Sequence, residues 1–334
     1  MKNKIFRNML IPGCFALVVI FVPGILISFG VIDAYTAQIF TLAGINAIMA
    51  ISVNVVCGIT GQLSLGQAGF MAIGSYTTII LTQTVGLPMP LSIIIAVLVT
   101  VIFGILIGFP TLKLQGDYLA IVTLGFGEII RVVLVNLKSI TGGANGLRFT
   151  TILAARADYA YFLIIGMLVL VIVLLQNFVR STYGRAILAV REDEIAANST
   201  GIDVFKYKMI GFAVASAIAG LGGALYAPFI GFVKPDMASF NRSIDYLIFV
   251  VLGGMGSVTG SVIAAFVLST LQEVLRFLQD FRLLIYPLIL IFVMLFRPQG
   301  LFGMKEISFV KLWDKFVALI QQRKNPVPQG ENNG

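Results

Sequence analysis

Apolar runs separated by short polar or glycine-rich stretches divide nearly the whole chain. They fall at 9–30, 36–57, 66–83, 91–109, 118–136, 159–178, 209–231, 244–257, 259–278 and 282–296. A helix needs roughly 20 predominantly apolar residues to cross a bilayer. The pattern therefore predicts an all-α integral membrane protein, a polytopic bundle of about 8–10 transmembrane helices, some short or broken. Lys2, Lys4 and Arg7 precede the first run as they would in a secretory signal. That run is long and no small-x-small cleavage site follows it, so an uncleaved first span is expected. Ten spans put both termini on one side.

The basic residues test that arrangement. With the N-terminus cytoplasmic, fifteen of the 23 Lys and Arg residues lie inside and seven outside, with Arg131 within a span. The excess supports cytoplasmic termini, because cytoplasmic loops carry more Lys and Arg; three basic residues in the 137–158 loop run against it. After the last span, Ile307, Val310, Trp313, Phe316, Val317 and Ile320 follow helical spacing, opposite Lys305, Lys311, Asp314 and Lys315. This predicts a basic amphipathic helix on the inner leaflet, in contact with membrane lipid. A polar tail closes the chain.

Composition closes off other classes. Of 334 residues, 58% are hydrophobic and 11% charged, against roughly 25% charged in soluble domains. A mean hydropathy of +0.99 leaves too little polar surface for a soluble enzyme or a nucleic-acid binder. The chain has no histidine, which removes haem ligation through histidine and Ser-His-Asp hydrolysis. No metal site, cofactor or catalytic residue is expected. Cys14 and Cys57 lie in apolar runs and read as small buried hydrophobes.

The informative stretches are those an ideal membrane helix avoids. Residues 58–76, GITGQLSLGQAGFMAIGSY, set Gln62, Ser64 and Gln67 among five glycines. Irregular backbone at membrane depth survives only against protein or a water-filled cavity. Two readings stay open: a broken helix facing a polar pathway, or a cytoplasmic turn followed by a glycine-packed helix. A second break, GGMGSVTGS at 253–261, lies about 195 residues later and faces the same side. The pair hints at internal duplication. Glu128 and Arg131 sit three apart on one helical face, as a structural ion pair or part of the pathway.

Gly142, Gly143 and Asn145 lie in the turn TGGANGL, predicted outside. Either it is a plain external turn or its amides receive an anionic or zwitterionic group. Residues 211–224, nearly all small, predict close helix packing, as do the pairs Gly104/Gly108 and Gly256/Gly260. The longest polar insertion, 178–208, carries Arg185, Arg191, Glu192, Asp193, Glu194, Ala196 and Ala197. A helix over 184–200 stopped by Gly201 is expected, docking on a soluble partner.

The blocks GxxGQxSLGQAGFMAIGSY, LxGDYLAIVTLGFGEIIR, TGGxNGL, GRAxxAVREDExAA and LGGMGSVTG occur in that order. Together they resemble the membrane permeases of branched-chain amino-acid ABC importers, most like the LivM type, over roughly residues 35–300. Simple-sugar permeases of ribose-type importers are similar in architecture, but the REDE block and TGGANGL favour the amino-acid branch. The resemblance implies a second homologous permease, two cytoplasmic ABC ATPase subunits and a periplasmic solute-binding protein in the bacterial inner membrane.

The span pattern gives a permease domain over 1–304, with 305–334 as an appended helix and tail. The ATPase-docking loop of that family has Ala-Ala, three residues, then Gly; Ala196, Ala197 and Gly201 match. The leading acid falls one place early, at Glu194. ATP binding would close the ATPase dimer and the loop would transmit the motion. The chain itself has no G-x-x-x-x-G-K-[ST] phosphate cradle. The same machinery carrying urea, amides, other amino acids or sugars remains an alternative, as does a gradient-driven transporter, which the Glu128/Arg131 pairing and the absent histidine weigh against.

Overall fold

The computed structural model describes residues 21–114, 116–151, 153, 156–297, 300 and 303. The predicted amphipathic helix and tail at 305–334, Cys14 and most of the first apolar run lie outside the described residues. After a short helical stretch at 21–28, the long helices are α1 (Ala34–Asn54), α2 (Gln67–Gln83), α3 (Met89–Thr111), α4 (Asp117–Asn136) and α5 (Ala157–Arg180). Two short helices follow, α6 (Thr182–Glu192) and α7 (Glu194–Ser199). The chain continues through α8 (Val204–Ile230), α9 (Phe240–Gly253), α10 (Val258–Val274) and α11 (Arg282–Phe296).

Among the described residues, six helical segments are long and apolar enough to cross a membrane: Ala34–Ile59, Met89–Thr111, Asp117–Asn136, Asp158–Arg180, Val204–Ile230 and Val258–Gln279. The remaining long helices are shorter, with 17 residues in α2, 14 in α9 and 15 in α11. At about 1.5 Å per residue they span roughly 21–26 Å. Their shortness comes with the breaks: α2 follows the irregular stretch 60–66, and α9 is separated from α10 by 254–257.

The helices alternate in direction, so their termini gather at two ends. One carries α6, α7 and both breaks; it is called the loop end. At the other, β1 (Leu147–Arg148) pairs antiparallel with β2 (Phe232–Val233), and this is the ribbon end. Residues 147–149 of the predicted outer loop are thus tied to 231–233, and Phe149 N–H donates to Gly231 O at 2.7 Å.

The bundle is built around α1 and α8. Helix α8 packs on α1, α2 and α3, and α1 also packs on α5 and α10. Helices α3 and α4 expose apolar side chains along one face, including Ile94, Leu98, Ile102, Ile121, Ile129 and Val132. A face of this kind is what lipid or another membrane subunit covers.

The small residues of 211–224 do what close approach requires. A Cβ on Gly74 would stand 2.2 Å from Gly220 O, and one on Gly104 would stand 2.2 Å from Ser216 Oγ. Gly260 packs against Gly253 in the same way. Gly256 corrects the packing expectation: it lies between α9 and α10 at φ +91° and belongs to no helix.

The expected single helix over 184–200 is two helices. Asp193, at φ −156° and ψ 112°, ends α6 and caps α7. Its carboxylate accepts from Ile195 N at 2.8 Å and Ala196 N at 3.0 Å. Such a side chain competes with the backbone for its own amides, which favours a cap over a helix interior.

Candidate functional site

The first break begins inside α1. Residues Val55–Ile59 widen into a π-helical turn, and Gly61, at φ +69°, turns the chain out of it. The next residues run extended along α4, where Leu65 N–H donates to Thr123 Oγ1 at 3.1 Å. A Cβ on Gly66 would stand 2.6 Å from Thr123 O, so the glycine admits this contact. Gln62, Ser64 and Gln67 are all buried, at 4%, 1% and 1% exposure, and Asn54 is fully enclosed beside them in the chain.

Among the described residues, several of their polar atoms have no hydrogen-bond partner: Asn54 Nδ2, both side-chain polar atoms of Gln62, Ser64 Oγ and Gln67 Nε2. Ser52 Oγ lies 3.0 Å from Gln67 Oε1 and 2.8 Å from Ala215 O, which holds the glutamine against α8. An unpaired buried amide or hydroxyl costs roughly 1–3 kcal/mol. These atoms form a polar cluster enclosed within the bundle. Cys57 is half-buried as a residue, with its Sγ 4.0 Å from Ser64 O.

The second break meets the first. Gly256 N–H donates to Asn54 Oδ1 at 2.8 Å. A Cβ on Gly58 would stand 2.3 Å from Gly256 N. Two glycine-rich segments from distant parts of the chain are thereby joined, and Ser257 caps the following helix by accepting from Gly260 N at 3.1 Å.

The loop between α5 and α8 covers this junction. Arg191 Nη1 donates to Gly58 O at 2.7 Å, while Nη2 lies 3.4 Å from Glu192 Oε1. Arg185 instead folds back on its own helix start, donating to Arg180 O at 2.8 Å and Thr182 Oγ1 at 3.3 Å. Glu194 pairs with the buried Lys208 Nζ of α8. Ala197 is buried, whereas Ile195 and Ala196 are exposed at the tip. Gly201, at φ +84°, ends the turn, with Ile202 N–H donating to Ala197 O at 3.1 Å.

Glu128 and Arg131 form the expected pair, 2.6 Å apart, toward the ribbon end of α4. Arg131 also lies 3.7 Å from Asp236, and Phe240 N–H donates to Glu128 Oε1 at 3.2 Å. The pair therefore ties α4 to the segment that leads into α9. Gly142 and Gly143 take positive φ in a turn that closes on itself: a Cβ on Gly142 would stand 2.3 Å from Gly146 O. Asn145 is exposed on that turn.

Three groups thus stand apart along the bundle. Gln62, Ser64, Gln67 and Arg191 share the loop end, Glu128 and Arg131 lie farther along α4, and Gly142, Gly143 and Asn145 sit at the ribbon end. Reading the sequence alone passed over Asn54, Ser52 and Lys208, although a polar residue inside an apolar run signals the first two. Among the described residues no cluster of Cys, Asp and Glu could hold a metal ion.

The Asn54 bridge gives a direct expectation. Asn54→Ala removes the acceptor of Gly256 N–H in a buried place, a loss of about 1–3 kcal/mol. The thermal midpoint of the detergent-purified protein is expected to fall accordingly; an unchanged midpoint would show that the bridge contributes nothing.

The family model described as branched-chain amino acid transport system / permease component matches residues 35–296. The high-affinity branched-chain amino acid transport system permease protein LivM of Escherichia coli K12 is 37% identical over 298 residues, covering 80% of this chain and 70% of that protein. A probable branched-chain amino acid transport permease protein LivM of Methanocaldococcus jannaschii is 24% identical over 242 residues, covering 64% and 69%. The LivH permease protein of E. coli K12 is 23% identical, covering 81% of this chain and 95% of that one. No solved structure matches. With its α-helical bundle and a family match across both breaks and the intervening loop, the chain belongs to the permease component family of branched-chain amino acid transport systems.

Proposed function

We propose that this chain is an inner-membrane permease of a bacterial ABC importer for leucine, isoleucine and valine, receiving them from a periplasmic binding protein. A second, homologous permease completes the channel and two ATPase subunits drive it. The observation that carries this reading is the family match over 35–296, together with a structured loop whose exposed tip lies over the junction of the two breaks. Relatives named for high-affinity branched-chain amino acid transport supply the substrate class. The sequence lacks a phosphate cradle of its own, which favours energy input from another chain.

The loop end is the cytoplasmic one in this reading, in keeping with fifteen basic residues on that side and seven on the other. Residues 184–201 are the ATPase-docking element. The exposed Ile195 and Ala196, flanked by Glu192 and Asp193, present a small apolar tip with an acidic border. The unpaired atoms of Gln62, Ser64 and Gln67 line the cytoplasmic part of a hydrated path, where they replace water around the solute's charged groups as it leaves. Glu128 and Arg131 hold the ribbon-end half of α4 in register, and the TGGANGL turn closes the outer face.

Purification of the tagged chain from membranes is expected to bring down a second permease and two ATPase subunits. In reconstituted vesicles, uptake of labelled leucine should require both ATP and the loaded periplasmic protein. Gradient-driven uptake by this chain alone would overturn the reading. ATP-dependent uptake of urea or a sugar in place of leucine would retain the machinery and overturn the substrate.

A further inference from the structure

We propose that Arg191 is the positioning residue through which the docking loop moves both broken helices at once. The inference rests on the importer reading above. Helix α1 and its π-turn end at the loop end, and so does α9; each C-terminus leaves carbonyls without intrahelical partners and carries partial negative charge. Arg191 lies against the first of these and against the linker that follows the second. Its Nη1 donates to Gly58 O at 2.7 Å and stands 3.3 Å from where a Cβ on Gly256 would sit. A Cβ on Gly61 would come within 2.8 Å of Arg191 Cγ. Glycines on three sides thus leave a slot shaped for this side chain. Asn54 closes the far side by accepting from Gly256 N–H.

Arginine suits the slot because its planar fork carries five donors and keeps its charge, so one group can hold the Gly58 carbonyl and still face Glu192. The chain of contacts also reaches the surface. Arg191 Nη2 is 3.4 Å from Glu192 Oε1, and the Glu192 side chain is 73% exposed. A subunit that draws on Glu192 and the tip of α7 therefore pulls on the residue that holds Gly58. The carbonyl at 58 lies three residues before Gly61, where the chain turns toward Gln62 and Ser64. Displacing the arginine frees that turn and vacates the slot against the Gly256 linker, which changes the polar lining without bending any continuous span.

The test uses the assembled complex with its ATPases and loaded binding protein, in a Cys14→Ser background. Cys57, half-buried and next to Gly58, then reports the state of the break through its labelling by a small maleimide. The expected result for Arg191→Ala is a complex that retains its ATPase subunits, takes up at least about tenfold less leucine per ATP hydrolysed, and loses the nucleotide-dependent change in Cys57 labelling that the parent shows.

Arg191→Gln can still donate to the carbonyl but loses the charge and the pair with Glu192, so it carries the same expectation if the alanine variant fails to fold. Wild-type uptake per ATP, or wild-type nucleotide dependence of Cys57 labelling, in either folded variant overturns the proposal. So does loss of the ATPase subunits, which would make Arg191 a docking residue. A parent chain that binds no ATPase subunit overturns the importer reading, and this inference with it.

Discussion

Gly223→Ala is expected to abolish most of the folded protein, whereas Gly166→Ala should leave its yield unchanged or raise it. A Cβ on Gly223 would stand 1.9 Å from Met71 O and 3.0 Å from Ser75 N, both backbone atoms of α2. No rotamer change relieves a clash with backbone, so α8 and α2 must separate. Overpacking of this kind costs about 1–3 kcal/mol. Separation also strains the bond from Ser75 Oγ to Gly223 O, now 2.8 Å, worth about 0.5–1.5 kcal/mol. The crossing has further contacts at stake, since Gly74 meets Gly220 O in the same interface. Gly166 of α5 has open space where a Cβ would go, and alanine there gains roughly 0.5–1 kcal/mol of helix preference. Fluorescence-detected chromatography of heated detergent extracts compares the two. Equal midpoints for Gly223→Ala and Gly166→Ala would refute the crossing.

The helices were legible because burial in a bilayer writes itself as apolar length. Apolar runs at 36–57, 91–109 and 159–178 became helical segments at Ala34–Ile59, Met89–Thr111 and Ala157–Arg180. Glycine clusters marked both breaks for a related reason, since uncovered backbone in a membrane must be placed against something. What they are placed against was not legible. Nothing local in GGMGSVTGS points to Asn54, and an asparagine inside ISVNVV carries no address for its partner. Apolar spacing reports which face is covered, not by which residue.

The same limit explains the helix at 184–200. Its mixture of strong helix formers hides the break at Asp193, which only the pairing of its carboxylate with two amides reveals. It also explains Gly256, whose four-residue spacing to Gly260 imitates a packing motif across a helix start. Arg191 was singled out with its acidic neighbours as part of a docking surface. Its side chain reaches inward to Gly58, a contact no sequence pattern encodes.

Replacing Glu192, Asp193 and Glu194 together by alanine is expected to uncouple ATP hydrolysis from uptake while the protein still inserts, and the single variants separate three causes. Asp193→Ala removes the cap of α7, a loss of about 0.5–2 kcal/mol that frays the helix presenting Ile195 and Ala196. Glu194→Ala leaves Lys208 with 9% of its side chain exposed and its carboxylate partner gone, a loss of about 1–3 kcal/mol. Both singles should lower the thermal midpoint. Glu192 is different: its side chain is mostly in solvent and its ion pair with Arg191 spans 3.4 Å. An exposed pair of that kind contributes about 0–1 kcal/mol to stability. Glu192→Ala should therefore leave the midpoint in place and still reduce uptake per ATP, and Glu192→Lys, which reverses the charge, should reduce it further. Uptake of leucine and release of phosphate, measured on the same vesicles, give the ratio for each variant. Normal ligand-stimulated uptake by the triple variant would remove residues 192–194 from the coupling path. A Glu192→Lys protein that melts early would instead make its loss of uptake a matter of folding.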